Sequence, residues 1–299
     1  RAAWGSSDGD GGYEARFDLD GDGEIGYGDF MAFWRANPTP NVSWRAGDVT
    51  GDAPTADGRA GYPDQGPDDY VDVLDLMAFA DHLFLSSTDA EFDEVFDFAG
   101  ADGVPDLDED PFGVDGRVDF YDLAVLAENW HKGTGPAHVT AAGQRALPMG
   151  QGSLSVDLQP GVDGVQATGA GIAGDVLEVA VTGADLQAFD AYDFGVTYDP
   201  SLLRLVDIRA QGQLIQAAGR RAVSMVDTST AGRVGLTAAT AGVGAVAAGD
   251  GTLATLRFEL LAGSGEAQIA LDGVTLFDAD AQASTLSTQS AVVSVLELA

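Results

Sequence analysis

The sequence predicts a chain of mixed fold class, in which a helical domain precedes an all-β sandwich. The first observation is an internal repeat: Asp29, Asp75 and Asp122 follow one another at steps of 46 and 47 residues, and each opens an apolar segment of helical period. The second is a series of short alternating apolar runs in the second half, separated by Gly, Asp and Pro. The third is the charge, because residues 1–135 hold 31 Asp or Glu against 7 Lys or Arg, whereas residues 136–299 hold 17 against 7.

These observations predict the domain boundaries. Residues 1–135 form the helical domain, residues 136–152 form a linker rich in Gly, Pro, Ala and Thr, and residues 153–299 form the sandwich. Many short strands without intervening helices are typical of a sandwich. The predicted strands are Leu154–Leu158, Val176–Val181, Tyr192–Tyr198, Leu203–Ile208, Val234–Ala238, Leu253–Leu260, Ala267–Leu271 and Val292–Leu298.

Each repeat of the helical domain joins a loop to one short helix. An aliphatic residue (Ile25, Val71 or Val118) precedes the repeated aspartate by four positions. In each helix, apolar residues recur on one face, which indicates packing in a core. These residues are Phe30, Phe33 and Trp34 in the first helix, Leu76, Phe79, Leu83 and Phe84 in the second, and Leu123, Leu126 and Trp130 in the third. Residues 88–91 have a capping-box pattern that predicts a further short helix.

Residues 18–29 have the composition and spacing of a calcium-binding loop of the EF-hand type. Ca²⁺ takes about six to eight oxygen ligands, which such a loop supplies from fixed positions around a sharply turning glycine. Gly23 stands at that position, Gly26 would hold a water, and Ile25 is the apolar residue that pairs with a partner loop. The predicted ligands are Asp18, Asp20, Asp22, the carbonyl of Glu24, and Asp29.

The second and third repeats predict calcium loops that contain insertions. In the second loop, the predicted ligands are Asp64, Asp68, the carbonyl of Tyr70, Asp72 and Asp75, although Gly66 and Asp69 fit their positions poorly. An alternative takes Asp48, Thr50 and Asp52 as the first ligands, with an insertion before Tyr70. In the third loop, the predicted ligands are Asp115, the carbonyl of Arg117, Asp119 and Asp122, and one of Asp106, Asp108 or Asp110 must reach in as the first ligand.

Composition and motifs exclude several function classes. The net charge of −34 makes nucleic acid and anionic membranes poor partners, and no apolar run is long enough to span a membrane. The chain has no cysteine for disulfides or thiolate-bound zinc. Residues 169–174 match GxGxxG but lead into an alternating strand, so the geometry of a phosphate-binding turn is absent. His82, His131 and His138 lack metal-ligand spacing. Paired carboxylates of the glycosidase type are accounted for by the calcium loops, so we expect no catalytic residues and no enzyme activity.

The loop–helix repeats resemble dockerin repeats, in which a calcium loop leads directly into one helix. Residues 18–37 and 115–130 carry the resemblance best. It implies docking onto a cohesin module, with Ca²⁺ as the cofactor. Three repeats with long insertions depart from the two closely spaced repeats of most dockerins. Loop positions 10 and 11 often govern partner choice in the family; here they are Tyr27-Gly28, Val73-Leu74 and Phe120-Tyr121, which implies an apolar recognition surface.

The second half resembles a cohesin domain. Residues 174–181, 191–206 and 251–260 carry this resemblance. Cohesins are non-catalytic jelly-roll β-sandwiches with nine strands, and the resemblance implies the same fold for residues 153–299.

Both resemblances together predict a non-catalytic, calcium-binding structural protein located outside the cell or at its surface. If the helical domain of one copy fits the sandwich of the next, the contact is heterologous and produces rings or filaments. Head-to-tail self-assembly is therefore the leading expectation. The alternatives are a scaffold or adaptor for other cohesin- or dockerin-bearing proteins, and a surface protein that binds carbohydrate.

Overall fold

The computed structural model describes residues 70–98, 116–132, 147–210, 212, 214–215, 220–241, 246–261 and 263–297. The first repeat lies outside this part, as do the insertions of the other two loops and most of the linker, and the predictions made for them stay predictions. The chain divides into two compact units, one formed mainly by the residues up to Gln144 and the other mainly by those from Arg145 onward. No helix in the described ranges is long and apolar enough to cross a membrane.

The helical unit contains helix α1 (Val73–His82), a 3₁₀ helix (Glu94–Phe96) and helix α2 (Phe120–Glu128). The helices predicted for the second and third repeats are thereby confirmed. Leu76, Phe79, Leu123 and Leu126 are fully buried, as the apolar face predicts. The short helix predicted to follow residues 88–91 is present as this 3₁₀ helix, but the predicted capping box at residues 88–91 does not open it, because the helix begins at Glu94.

Two aspartates of this segment accept hydrogen bonds that differ from those of a capping box, and this explains the error. The carboxylate of Asp89 accepts hydrogen bonds from the backbone and hydroxyl of Ser86, so it closes a turn. The later Asp93 accepts the N–H of Val95 and starts the 3₁₀ helix. Aspartate competes for local backbone donors in turns as readily as it caps helices, and the sequence pattern cannot separate these uses.

The described residues of the β unit form eleven strands, and each of the eight predicted strands overlaps one of them. The strands are β1 (Met149–Asp157), β2 (Thr168–Ile172), β3 (Val176–Phe189), β4 (Ala191–Tyr198), β5 (Leu203–Arg209), β6 (Arg221–Asp227), β7 (Arg233–Ala241), β8 (Ala247–Leu260), β9 (Gly265–Phe277), β10 (Ala283–Gln289) and β11 (Ala291–Leu296). Strands β2, β6 and β10 were not predicted. Strand β1 begins at Met149, inside the segment interpreted as a linker, because its residues pair with β10.

The strands form a β-sandwich. Their order is β5-β8-β3-β1-β10-β9-β4-β7-β6, and β11 joins β9 to β2. Strand β9 pairs with β11 through its first residues and with β10 through its last ones, which carries the hydrogen bonding from one layer to the other. Strands β1 and β10 run parallel, whereas the neighbouring pairs are antiparallel.

Alternate side chains along the strands point inward and fill the core between the two layers. On β4, Tyr192, Phe194 and Val196 are buried, while Asp193 and Thr197 between and beyond them are half-buried on the outer side. On β8, Leu256, Phe258 and Leu260 point into the same core. The GxGxxG segment forms β2 and the turn into β3, so no helix follows it, as predicted.

Candidate functional site

The predicted ligands that lie next to the helices accept hydrogen bonds from backbone N–H groups at the helix N-termini. The carboxylate of Asp72 accepts the N–H of Leu74 at 2.9 Å, and that of Asp75 accepts the N–H of Asp72 at 2.8 Å. Asp119 and Asp122 repeat this capping box on α2, with bonds of 2.8 and 2.7 Å. Each pair satisfies two of the backbone donors that a helix leaves free at its first turn. These four aspartates therefore stabilise the helices whether or not a metal is bound.

The two loop–helix units contact each other through reciprocal backbone hydrogen bonds. The N–H of Val71 donates to the carbonyl of Lys132 at 3.1 Å, and the N–H of His131 donates to Val71 at 2.9 Å. In the other direction, the N–H of Val118 donates to Leu85 at 2.9 Å, and the N–H of Phe84 donates to Val118 at 2.6 Å. The two sets occupy equivalent positions of the repeat, 47 residues apart: Val71 corresponds to Val118, Phe84 to His131 and Leu85 to Lys132.

These contacts give the apolar position of the second and third loops a partner, whereas Ile25, for which a partner loop was predicted, lies outside the described residues. The partner, however, is the segment that follows the helix of the other unit, and the two valines do not pair with each other directly. The second and third repeats thus form a closed pair with approximate two-fold symmetry.

Asp97 is a candidate ligand that sequence reasoning missed. Its carboxylate is 2% exposed and accepts the N–H groups of Gly116 and Arg117 at 2.8 and 3.2 Å. The next residue, Phe98, donates its N–H to Asp122, which is fully buried. The segment before the insertion is therefore held against the end of the third loop. One signal was available in the sequence: Phe96-Asp97 repeats the Phe17-Asp18 that opens the first loop.

The predicted metal ligands divide between described and undescribed residues. The described ones are Tyr70, Asp72, Asp75, Arg117, Asp119 and Asp122. Those outside the described residues are Asp18, Asp20, Asp22, Glu24, Asp29, Asp64, Asp68, Asp106, Asp108, Asp110 and Asp115. Among the residues whose positions are described, no group of three or more His, Asp or Glu side chains is placed to hold a metal ion. The calcium loops accordingly remain predictions.

The β unit presents two outer surfaces of different charge pattern. The β8 face, formed by the outer sides of β5, β8 and β3, has a ladder of opposite charges in which Arg204 contacts Glu259, and Arg257 lies 4.0 Å from Asp207. The β4 face is formed by the outer sides of β9, β4 and β7. Among its described residues it has one ion pair, in which Nε of Arg233 lies 3.4 Å from Asp272. Its other outer positions include Asp193, which accepts the hydroxyl of Thr237, and the glycines at 195 and 235.

The family of the β unit follows from comparison with known proteins. Residues 164–294 match the family model of the cohesin domain. The second half contains a cohesin domain. This confirms the fold and the family that were predicted for the second half. Cohesin domains are non-catalytic interaction modules. The resemblance of the first half to dockerins remains a prediction.

Solved cohesin structures are similar to this domain. A non-cellulosomal cohesin from Archaeoglobus fulgidus is 15% identical, covering 48% of this chain and 91% of that one, with a TM-score of 0.37. A cohesin module of a family 33 glycoside hydrolase from Clostridium perfringens is 13% identical, covering 50% and 100%, with a TM-score of 0.40. A type II cohesin from the cellulosome of Acetivibrio cellulolyticus is 19% identical, covering 49% and 95%, with a TM-score of 0.37. No curated protein matches the chain.

Proposed function

We propose that this protein is a non-catalytic, extracellular structural protein whose cohesin domain binds the calcium-loaded helical unit of another copy. The observation that supports this most directly is the presence, in one chain, of a cohesin domain and of two loop–helix units closed by reciprocal backbone contacts. Because the two partner surfaces lie on different units, the contact between copies is heterologous and can extend into filaments.

Calcium would hold the loop ends of the helical unit in shape. Asp97 supplies the first ligand of the third loop in this proposal, in place of Asp106, Asp108 or Asp110. Its bond to Gly116 fixes the turn of the loop, and Asp122 stands at the other end of the same loop. The donor set fits a hard cation, because all side-chain ligands are carboxylates, and a carboxylate oxygen that accepts an N–H can also bind metal. Asp115, the carbonyl of Arg117 and Asp119 would complete the protein ligands.

The second candidate function is an adaptor that binds other cohesin- or dockerin-bearing proteins. The cohesin domain favours it as much as it favours self-assembly, since a cohesin domain does not require its partner to be a copy of the same chain. Carbohydrate binding by the sandwich is a third possibility from the sequence, and no feature of the described residues favours it.

The size of the full chain in solution tests the proposal. Sedimentation of the protein with millimolar calcium should give large, concentration-dependent particles, and addition of a chelator should return them to monomers. Particles that stay monomeric under both conditions would overturn self-assembly. Mixing separately produced residues 1–135 and 145–299 then distinguishes the candidates, because binding between them supports self-assembly, whereas its absence favours a foreign partner.

A matched pair of variants tests the ligand assignment. Asp97→Asn should lower the calcium affinity of one site and reduce the stoichiometry measured by calorimetry, because the amide loses the charge that binds the cation. Asp163→Asn is the control, since it removes the same charge from an exposed position of the sandwich. Equal calcium binding by both variants would contradict the assignment of Asp97.

A further inference from the structure

Two aromatic rings attach the segment of residues 96–98 to helix α1. The ring of Phe96 stacks on that of His82, with a distance of 4.0 Å between the ring centroids. The ring of Phe98 stacks on that of Phe79, with a centroid distance of 5.9 Å. Both phenylalanine side chains are buried, and both of their partners belong to α1. The segment is therefore fixed to the helix of the second repeat.

The same segment is hydrogen-bonded to the third repeat. The buried carboxylate of Asp97, which lies between the two phenylalanines in the sequence, accepts the N–H of Gly116 at 2.8 Å and that of Arg117 at 3.2 Å. The backbone N–H of Phe98 donates to the carboxylate of Asp122, in the first turn of α2. Residues 96–98 thus connect the helix of one repeat to the loop and the helix of the next.

The sequence alone does not place Asp97 next to the third loop. In an uninterrupted loop of the EF-hand type, the glycine of the sharp turn follows the first ligand by about five residues. Here Gly116 follows Asp97 by 19 positions. Closing so long a segment has an entropic cost, which the contacts of the residues beside Asp97 must offset. The two buried rings that stack on α1 provide such contacts.

We propose that Phe98 is a positioning residue of the third calcium loop and couples calcium binding at this loop to the packing of helix α1. A phenyl ring has no oxygen for a hard cation, so Phe98 acts through the ligands. Its ring holds Asp97 in place from α1, and its N–H holds Asp122. The first and last ligands of the loop are thereby fixed relative to each other.

The coupling acts in both directions. Groups that orient metal ligands from outside typically change the metal affinity about 10–100-fold when they are removed. Because linkage between two sites is reciprocal, calcium in the third loop also stabilises the contact between Phe98 and α1. A cation bound by the third repeat therefore stabilises the helix of the second. This inference rests on the calcium binding of the proposed function and does not depend on self-assembly.

Titration calorimetry of calcium binding to the full chain tests the role of Phe98. Phe98→Ala should lower the affinity of one site about tenfold or more, because Asp97 is no longer held from α1. Phe98→Leu keeps an apolar contact with Phe79 and should lower it less, by about two- to tenfold. Val95→Ala is the matched control, since this side chain of the same 3₁₀ helix is 48% exposed. It should change the affinity less than about twofold.

Thermal unfolding in calcium and in chelator separates positioning from packing. If Phe98 only packs, Phe98→Ala lowers the unfolding midpoint equally under both conditions. If it positions ligands, the loss is larger in calcium, because weaker binding adds less stability by mass action. The double variant with Asp97→Asn adds a second criterion. Both residues act on the same site, so their losses of affinity should be less than additive.

The outcomes separate this inference from the function on which it rests. A wild-type chain that binds no calcium overturns both. Affinities that are equal in the Phe98 variants and in Val95→Ala overturn only the role of Phe98, as do equal midpoint losses in calcium and chelator. If circular dichroism shows that Phe98→Ala does not fold, Phe98→Leu decides in the same way. A chain that shows the coupling but remains monomeric overturns self-assembly and leaves the role of Phe98 intact.

Discussion

At the scale of single residues, Tyr192 makes the stability of the β unit depend on pH. Its ring lies in the core, and its hydroxyl donates to the backbone carbonyls of Ala210 and Leu253. Burial raises the pKa of this phenol well above its ordinary value near 10. The folded state therefore keeps a proton that the unfolded chain releases. The resulting stabilisation is fully present below about pH 10 and is lost as the pH rises from there towards the folded pKa.

We expect Tyr192→Phe to lose less stability above pH 10 than the wild type, because phenylalanine has no hydroxyl proton to release. At pH 7 the variant should be less stable by about 1–3 kcal/mol, because two buried carbonyls lose their donor. Urea unfolding of the full chain at pH 7 and above pH 10, followed by circular dichroism of the sheet, measures both effects. Tyr198→Phe, on the same strand but half-buried, should retain the alkaline loss. An alkaline loss of equal size in Tyr192→Phe and the wild type would contradict the assignment.

At the scale of secondary structure, the ends of both helices place bulky residues in the left-handed region. Phe84 has φ of 70° and His131 has φ of 57°, and the two residues occupy equivalent positions of the repeat. This position usually carries glycine, because a side chain there is strained. The backbone conformation is retained because both residues donate to the loop valines.

This geometry predicts a reversed order of stability for substitutions at His131. His131→Gly should be more stable than His131→Ala by about 1 kcal/mol, although alanine is the more favourable residue in a helix interior. Both variants lose the stacking of the ring on Trp130 and Tyr70, so the comparison isolates the backbone. Chemical unfolding of the helical unit, monitored by tryptophan fluorescence, gives the difference. An alanine variant at least as stable as the glycine variant would refute the interpretation.

Several elements could be predicted because their apolar pattern is strong, and the rest could not for identifiable reasons. Residues 253–260 alternate clearly and were predicted as a strand. Strand β2 was not, because it has glycine at positions 169 and 171, where Leu158 and Leu260 pack close to the backbone, and these glycines remove the alternation from the sequence. Strand β10 is largely Ser and Thr, and its position depends on pairing with two distant strands. Asp97 was missed because it reaches a loop residue 19 positions later, across an insertion of no regular length.

At the scale of the whole molecule, charge distinguishes the two halves. The net charge of −34 is concentrated before residue 136, where it reaches −24. Carboxylates that converge on one loop repel one another without a cation, and this raises the free energy of the folded helical unit. The cohesin domain has its charges more evenly balanced, with ion pairs across the β8 face. Calcium should therefore stabilise the first half by mass action and leave the second half nearly unchanged.

Limited proteolysis of the full chain tests this difference between the halves. With a chelator present, we expect cleavage before residue 133 to become much faster, while residues 149–297 persist as a resistant fragment. Sodium chloride added to the chelated sample at increasing concentration is the control, because salt screens repulsion between exposed charges without supplying a ligand for the loops. Partial protection by salt and full protection by calcium would show that the loops need coordination as well as screening. Equal sensitivity of both halves after chelation would contradict a calcium requirement confined to the helical unit.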